Sequence, residues 1–295
     1  MNYKSILFFL GIYSLFISLF FILNIFYSIY FGFNFSSYTT SLTISFIVGS
    51  LFCFLGRKYT KNISFFDQII LISLGFIFLP LLICLPYFLS SYDISFLNSY
   101  FESVSGFTAT GFSIINNVEN IDEPLLLWRS SSQWLGGLFF LIAIIGTLGL
   151  KSVKIKPTYL VSGASLGGNF YNNFNSNFTK ILLIYFFTTI FIIFLYSSAN
   201  IRLFDSFNLA FTTISSGGFL PKNSLSLIVN NDFKVLVLSI SLLFPIFNFY
   251  LLFKIFSGNL LIVYTNLFPQ NKRKNSHQKN LYLGTRTYLR TWQNL

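Results

Sequence analysis

Residues 95–112 read SFLNSYFESVSGFTATGF, and residues 202–219 read RLFDSFNLAFTTISSGGF. The two stretches align without a gap at an offset of 107 positions. Asn98 falls on Asp205, Ser99 on Ser206, Tyr100 on Phe207, Thr108 on Ser215, Gly111 on Gly218 and Phe112 on Phe219. Each stretch is moderately apolar, ends in a Gly-containing turn and lies between two longer apolar runs. The unit is a span, a short segment that folds back and a second span, present twice.

Length sets the geometry of that unit. Ser95 to Gly106 makes a helix of about 18 Å at 1.5 Å per residue, which crosses only part of a hydrocarbon core of about 30 Å. The chain then returns through Thr108, Ala109, Thr110 and Gly111. Non-helical backbone is tolerated at membrane depth only where it is buried in protein or lines a watery cavity. A row of carbonyls facing such a cavity can replace the hydration shell of a cation. Gly permits the backbone angles that aim successive carbonyls inward. Thr and Ser add hydroxyl oxygens. The short helix points its negative, C-terminal end at the ion.

The rest of the chain fits this frame. Of its 295 residues 54% are hydrophobic and only 9% are charged. That is too little charge to cover a soluble protein of this size, and too much hydrophobicity for disorder. Six segments are apolar enough to span a bilayer, some of them only just: 5–29, 41–55, 68–89, 134–150, 181–196 and 233–256. The first is too long for a signal-peptide core and has no small-residue cleavage site, so it is expected to be retained. The expected fold class is an all-α polytopic membrane protein. Residues 1–62 carry two N-terminal spans, 63–156 the first helix–pore loop–helix repeat, 157–258 the second, and 259–295 a basic tail.

Charge gives an orientation. Lys4, Arg57, Lys58, Lys61, Lys151, Lys154, Lys156, Lys180, Lys254 and the six basic residues of the tail fall on one side, 15 of the 19 in the chain. By the positive-inside rule that side, with both termini, is cytoplasmic. Seven of the 8 acids fall outside, leaving Asp67 near the inside. Their excess raises cation concentration at an outer mouth, or they are ordinary polar loop residues. The net charge of +11 is therefore read as topology, and no nucleic-acid partner is expected. Cys53 and Cys84 lie in apolar runs and suggest neither a disulfide framework nor a metal site. No span carries paired carboxylates, and His277 sits in the tail, so no enzyme is expected.

Five stretches carry a family resemblance: CLPYFLS (84–90), FESVSGFTATGFS (101–113), LLLWRSSSQWLGG (125–137), FDSFNLAFTTISSGGF (204–219) and FNFYLLFKIFSGN (247–259). The sequence resembles the membrane subunit of the Trk/Ktr/HKT superfamily of potassium transporters, nearest to the TrkH type, over about residues 1–265. The resemblance implies four helix–pore loop–helix repeats around one pore, with one filter Gly per repeat. Here these are Gly111 and Gly218, and Thr108, Ala109, Thr110, Ser215, Ser216 and Gly217 would supply further filter oxygens for K⁺. It also implies a dimer in a bacterial inner membrane and a cytoplasmic ring of nucleotide-binding regulatory subunits. This chain has no GxGxxG after a strand, so the nucleotide would belong to that partner and no cofactor is expected here.

Three features depart from the pattern or stand open. The chain has two repeats where the family has four. Phe244 to Asn248 is bulky where relatives tend to be Gly-rich, and Ala109 replaces a common Thr. Arg129 has two readings: an ion pair with Glu102 that props the first short helix, or an interfacial Arg that snorkels to water. Function has two readings as well. One is potassium uptake through a carbonyl-lined filter. The alternative is a truncated, non-conducting half-subunit or scaffold that needs a second half-chain.

Overall fold

A computed structural model describes residues 2–58, 64–148 and 170–245. All of them lie in one compact unit, Met1–Phe249; the unit Tyr250–Leu295 falls outside the described residues. Every regular element among them is helical. Helix α1 spans Tyr3–Phe31, 29 residues or about 44 Å, and closes on Gly32 at φ 75°. Helix α2 (Ser36–Gly56) returns along it. The pair meets almost backbone to backbone: a Cβ placed on Gly56 would lie 2.4 Å from the Lys4 carbonyl oxygen. Small residues allow that approach, which is how helices pack without a hydrophobic drive between them.

Helix α3 (Phe65–Ile83) starts at a capping box in which Ser64 and Asp67 satisfy each other's free N–H groups. Pro80 lies within it, and the helix breaks at Cys84 before the short α4 (Leu85–Phe88). Side chains of two later helices donate to carbonyls along this stretch. The Tyr100 hydroxyl donates to the Ile77 carbonyl, Ser103 to Pro80 and the Trp128 indole N–H to Ile83, at 2.9, 2.9 and 3.0 Å. Helix α5 (Phe96–Phe107) is capped by Ser95 and is 12 residues long. It is followed by α6 (Glu123–Leu148), α7 (Phe170–Ser198), α8 (Leu203–Ser215) and α9 (Asp232–Ser241).

Helix α6 is the hub, touching α1, α3, α5, α7 and α8. Its Trp128 stacks on Phe21 with centroids 4.4 Å apart, and Trp134 packs against Phe20 and Tyr185 at 5.1 and 4.8 Å. Among the described residues four helical stretches are long and apolar enough to cross a membrane: Tyr3–Phe31, Ser36–Gly56, Phe66–Phe88 and Ile181–Ser198. Their outward faces carry exposed Phe26, Ile47, Phe54, Ile77, Phe187 and Phe194. An apolar belt of this kind is stable against lipid and unfavourable in water.

Boundaries differ from expectation in an instructive way. The fourth span, expected at 134–150, starts eleven residues earlier, at Glu123. The run Arg129-Ser-Ser-Ser-Gln133 lowers its hydropathy, yet all five residues are buried inside the protein. The sixth span, expected at 233–256, is helical over Asp232–Ser241 and then turns through residue 245; residues 246–256 lie outside the described residues. So do the basic stretch 151–156 and the tail.

The repeat runs deeper in the backbone than in the side chains. Non-Gly residues with left-handed φ include Asp93 and Asn200, at 50° and 57°, and Ala109 and Ser216, at 53° and 57°. Gly111 and Gly218 follow at 79° and 85°. Each pair is 107 positions apart. The 3-10 turns Val118–Asn120 and Leu225–Leu227 keep the same offset. Correspondence therefore extends on both sides of the eighteen aligned residues.

The tightest contact in this frame is at Gly136 of α6, where an added Cβ would lie 1.8 Å from the Phe107 carbonyl oxygen. Neither backbone can move alone. Gly136→Ala should therefore destabilise the protein by about 1–3 kcal/mol or more, read as a lower unfolding temperature in detergent. An unchanged unfolding temperature would mean that α5 and α6 are not held this close.

Candidate functional site

Each short helix ends in the same local geometry. The Thr110 N–H donates to the Ser105 carbonyl at 2.9 Å, and the Gly217 N–H to Thr212 at 2.8 Å. The Ala109 and Ser216 N–H groups donate to Gly106 and Thr213 at 2.9 and 3.1 Å. These are helix C-caps built on a left-handed residue, whose N–H groups satisfy carbonyls left open at the helix end and which turn the chain sharply. At the other end, the Ser99 and Ser206 hydroxyls donate to Ile94 and Ile201 at 3.4 and 3.3 Å. One backbone design is made twice from different residues.

The two turns come together. A Cβ on Gly111 would lie 2.3 Å from the Gly217 carbonyl oxygen and 3.6 Å from the Gly218 Cα. A Cβ on Gly218 would meet nothing within 4 Å. Gly111 is thus glycine for space and for φ; Gly218 is required by φ, and its open side faces a void. Below the turns lies a cavity of 350 Å³ lined by Thr108, Ala109, Ser215, Ser216, Gly136 and Gly137, with Phe140 and Pro245 among its apolar walls. Pro245 is the part of the bulky 244–248 segment within reach here; residues 246–248 lie outside the described residues.

Behind the turns is a buried polar network centred on α6. Arg129 and Glu102 are 2% and 1% exposed, and the Arg129 Nε donates to Glu102 Oε1 at 3.0 Å. Glu102 also accepts from the Ser113 hydroxyl at 2.9 Å and the Ile114 N–H at 3.1 Å. Arg129 donates again to Ser113 at 3.0 Å. A buried pair is tolerable when its remaining donors and acceptors are also met, as here. Snorkelling does not describe an Arg with this burial.

Arg129 reaches further than the first repeat. It donates to the Leu220 carbonyl at 3.3 Å, and its guanidinium lies 4.4 Å from the centre of the Phe219 ring. One turn on, Gln133 is 0% exposed and its Oε1 accepts from the Phe219 N–H at 3.2 Å. Gln133 lies within WRSSSQWLGG, where no sequence pattern assigns it a role. The available signal was its spacing: Arg129 and Gln133 are four residues apart, and so share one helical face.

Charged and polar groups pair at both ends of the helices. Tyr27, Glu123 and Arg202 cluster at one end, where the Tyr27 hydroxyl donates to Glu123 at 2.5 Å and Arg202 pairs with Glu123. The hydrogen bond to Glu123 holds the Arg202 guanidinium above its ordinary pKa. At the other end the Asn2 N–H donates to Asp67 at 3.1 Å. Among the described residues no group of three or more His, Cys, Asp or Glu is placed to hold a metal ion. Cys53 and Cys84 are free thiols.

Comparison with known proteins agrees with this architecture. The family model TrkH, described as a cation transport protein, matches residues 35–286. An uncharacterized cation transporter of Methanocaldococcus jannaschii is 26% identical over 211 residues, covering 71% of this chain and 44% of the relative. The Trk system potassium uptake protein TrkH of Escherichia coli K12 is 24% identical over 234 residues, covering 77% and 48%. TrkH of Halomonas elongata is 27% identical over 187 residues, covering 62% and 39%. The chain thus matches less than half the length of these relatives. The crystal structure of the potassium transporter TrkH from Vibrio parahaemolyticus superposes with a TM-score of 0.70 at 21% identity, over 88% of this chain and 53% of that one. At that identity the likeness speaks for the fold. The family match spans most of the chain, and the chain belongs to the TrkH family of cation transport proteins.

Proposed function

We propose that this chain forms two of the repeats around a potassium-conducting pore, as the membrane subunit, or the N-terminal half, of a Trk-type uptake system. The observation that carries this is the meeting of the two turns, Gly111 against the Gly217 carbonyl, above the cavity lined by Thr108, Ala109, Ser215 and Ser216. The filter would be the carbonyls of Thr108, Ala109, Thr110, Gly111, Ser215, Ser216, Gly217 and Gly218. No acid lies in either segment, which fits carbonyl coordination better than a ring of carboxylates. An inside-negative potential would drive uptake, at about 2.3 kcal/mol per charge per 100 mV.

In this reading the repeats are residues 63–156 and 157–258. The protein sits in a bacterial inner membrane with both termini cytoplasmic, works as a dimer and takes a nucleotide-binding regulatory partner at its inner face. The pore needs more walls than two repeats supply. Phe219 is 3% exposed because α6 of the preceding repeat covers it; its counterpart Phe112 is 71% exposed. In a ring of repeats the same role for Phe112 falls to the last helix of a fourth repeat, in this or a second chain. That exposed ring also favours the alternative of a half-subunit, inactive until completed.

Gly111→Ala adds a Cβ into the Gly217 carbonyl, and Gly218→Ala forces a left-handed φ on alanine. Each should abolish rubidium uptake by cells lacking their own potassium transporters, with membrane abundance unchanged. Normal uptake in both variants would remove the filter assignment. Separately, Glu102 and Arg129 are proposed as the support of the first short helix. Removing one charge, as in Glu102→Gln or Arg129→Ala, should cost about 3–5 kcal/mol, and exchanging both should restore part of the loss. Thermal unfolding of the single and exchanged variants measures this, and full stability in both single variants would refute it.

A further inference from the structure

The two turns are not held in the same way. In the first, the Ser105 hydroxyl donates to the Phe112 carbonyl at 2.5 Å, and the Thr108 and Thr110 hydroxyls pair at 2.7 Å. Glu102 of the same repeat takes the Ile114 N–H at 3.1 Å. Every one of these partners lies within the first repeat. In the second turn the residue equivalent to Ser105 is Thr212, whose hydroxyl is buried and has no partner. Thr110 is replaced by Gly217, which has no side chain to pair. The equivalent side-chain braces are missing; the backbone cap bonds remain.

What replaces them comes from α6. Gln133 accepts the Phe219 N–H, and its amide lies so close behind Gly217 that a Cβ there would sit 2.3 Å from the Gln133 Cδ. Its Nε2 is buried with no hydrogen-bond partner. A buried amide N–H left unmade is unfavourable, so the site keeps this side chain for its other end. A hydrophobic residue of similar length would fill the same space without the orphan donor, and would lose the bond to Phe219.

We propose that Gln133 is the positioning residue of the second turn: the alignment of Gly217, Gly218 and Phe219 is set by a side chain of the first repeat's last helix, whereas the first turn takes its braces from within its own repeat. Gly217 is then held between Gln133 behind it and Gly111 in front. A shift of α6 is carried to the second turn through Gln133 and to the first through Gly136 and Arg129. The consequence for ion selection rests on the filter reading above; the positioning itself does not.

The test uses the full chain in lipid nanodiscs, wild type against Gln133→Leu, with amide hydrogen exchange read on peptides covering residues 108–114 and 217–221. Loss of one hydrogen bond should speed exchange in the second peptide by about five- to tenfold and leave the first unchanged. Equal acceleration of both turns, or of neither, would overturn the proposal. Should Gln133→Leu not fold, Gln133→Asn, which keeps the amide but is too short to reach Phe219, takes its place with the same expected contrast. Rubidium and sodium binding to the same samples forms the second arm. A lowered preference for rubidium over sodium in the variant supports the functional consequence. Wild-type protein that does not distinguish the two ions, with the exchange contrast intact, defeats the filter reading and leaves the positioning role standing.

Discussion

Irregular backbone inside an apolar medium must have its polar groups satisfied by the protein itself, and the architecture of this chain is organised by that requirement. Two short helices end in mid-structure, each followed by a turn whose N–H and C=O groups lie outside any regular ladder. Helix C-caps take up some of the donors. The rest fall to side chains of the first short helix and, for both turns, of α6. The buried run Arg129 to Gln133 is explained by this need. A stretch this polar would be unfavourable against lipid; against two turns full of unmet backbone groups it is what holds them.

A second demand follows from the first. Side chains that serve both turns must come from a helix close to both, and closeness here means backbone on backbone. Gly136 lies against the Phe107 carbonyl, and Gly137 within 2.9 Å, measured from an added Cβ, of the Ser215 side chain. Aromatic packing then fixes α6 from the opposite side through Trp128 and Trp134. The polar face and the apolar face of the same helix thus constrain it together.

Much of this was legible in the residues. The offset of 107 between the two turns was readable by eye, and so were the short helices, because a dozen residues with a Gly-containing end cannot cross a bilayer. The Glu102–Arg129 contact was open to inference from their shared position near the outer end of one repeat. Two things were hidden. The start of α6 was lost because hydropathy cannot tell a buried polar run from a boundary. The role of Gln133 was lost because its partner, the Phe219 N–H, is 86 residues away and belongs to the backbone, which no side-chain pattern reports. The left-handed positions show the same limit: Ala109 and Ser216 share a conformation that neither residue type announces.

The asymmetry between the turns also bears on biosynthesis. The first turn takes its braces from residues within its own repeat, all of which emerge from the ribosome before the second repeat exists. The second turn depends on a helix already made. Chains of this kind fold from the N-terminus as they are synthesised, so the dependence runs in the direction of translation. The first repeat can settle alone and then serve as the template on which its successor takes shape.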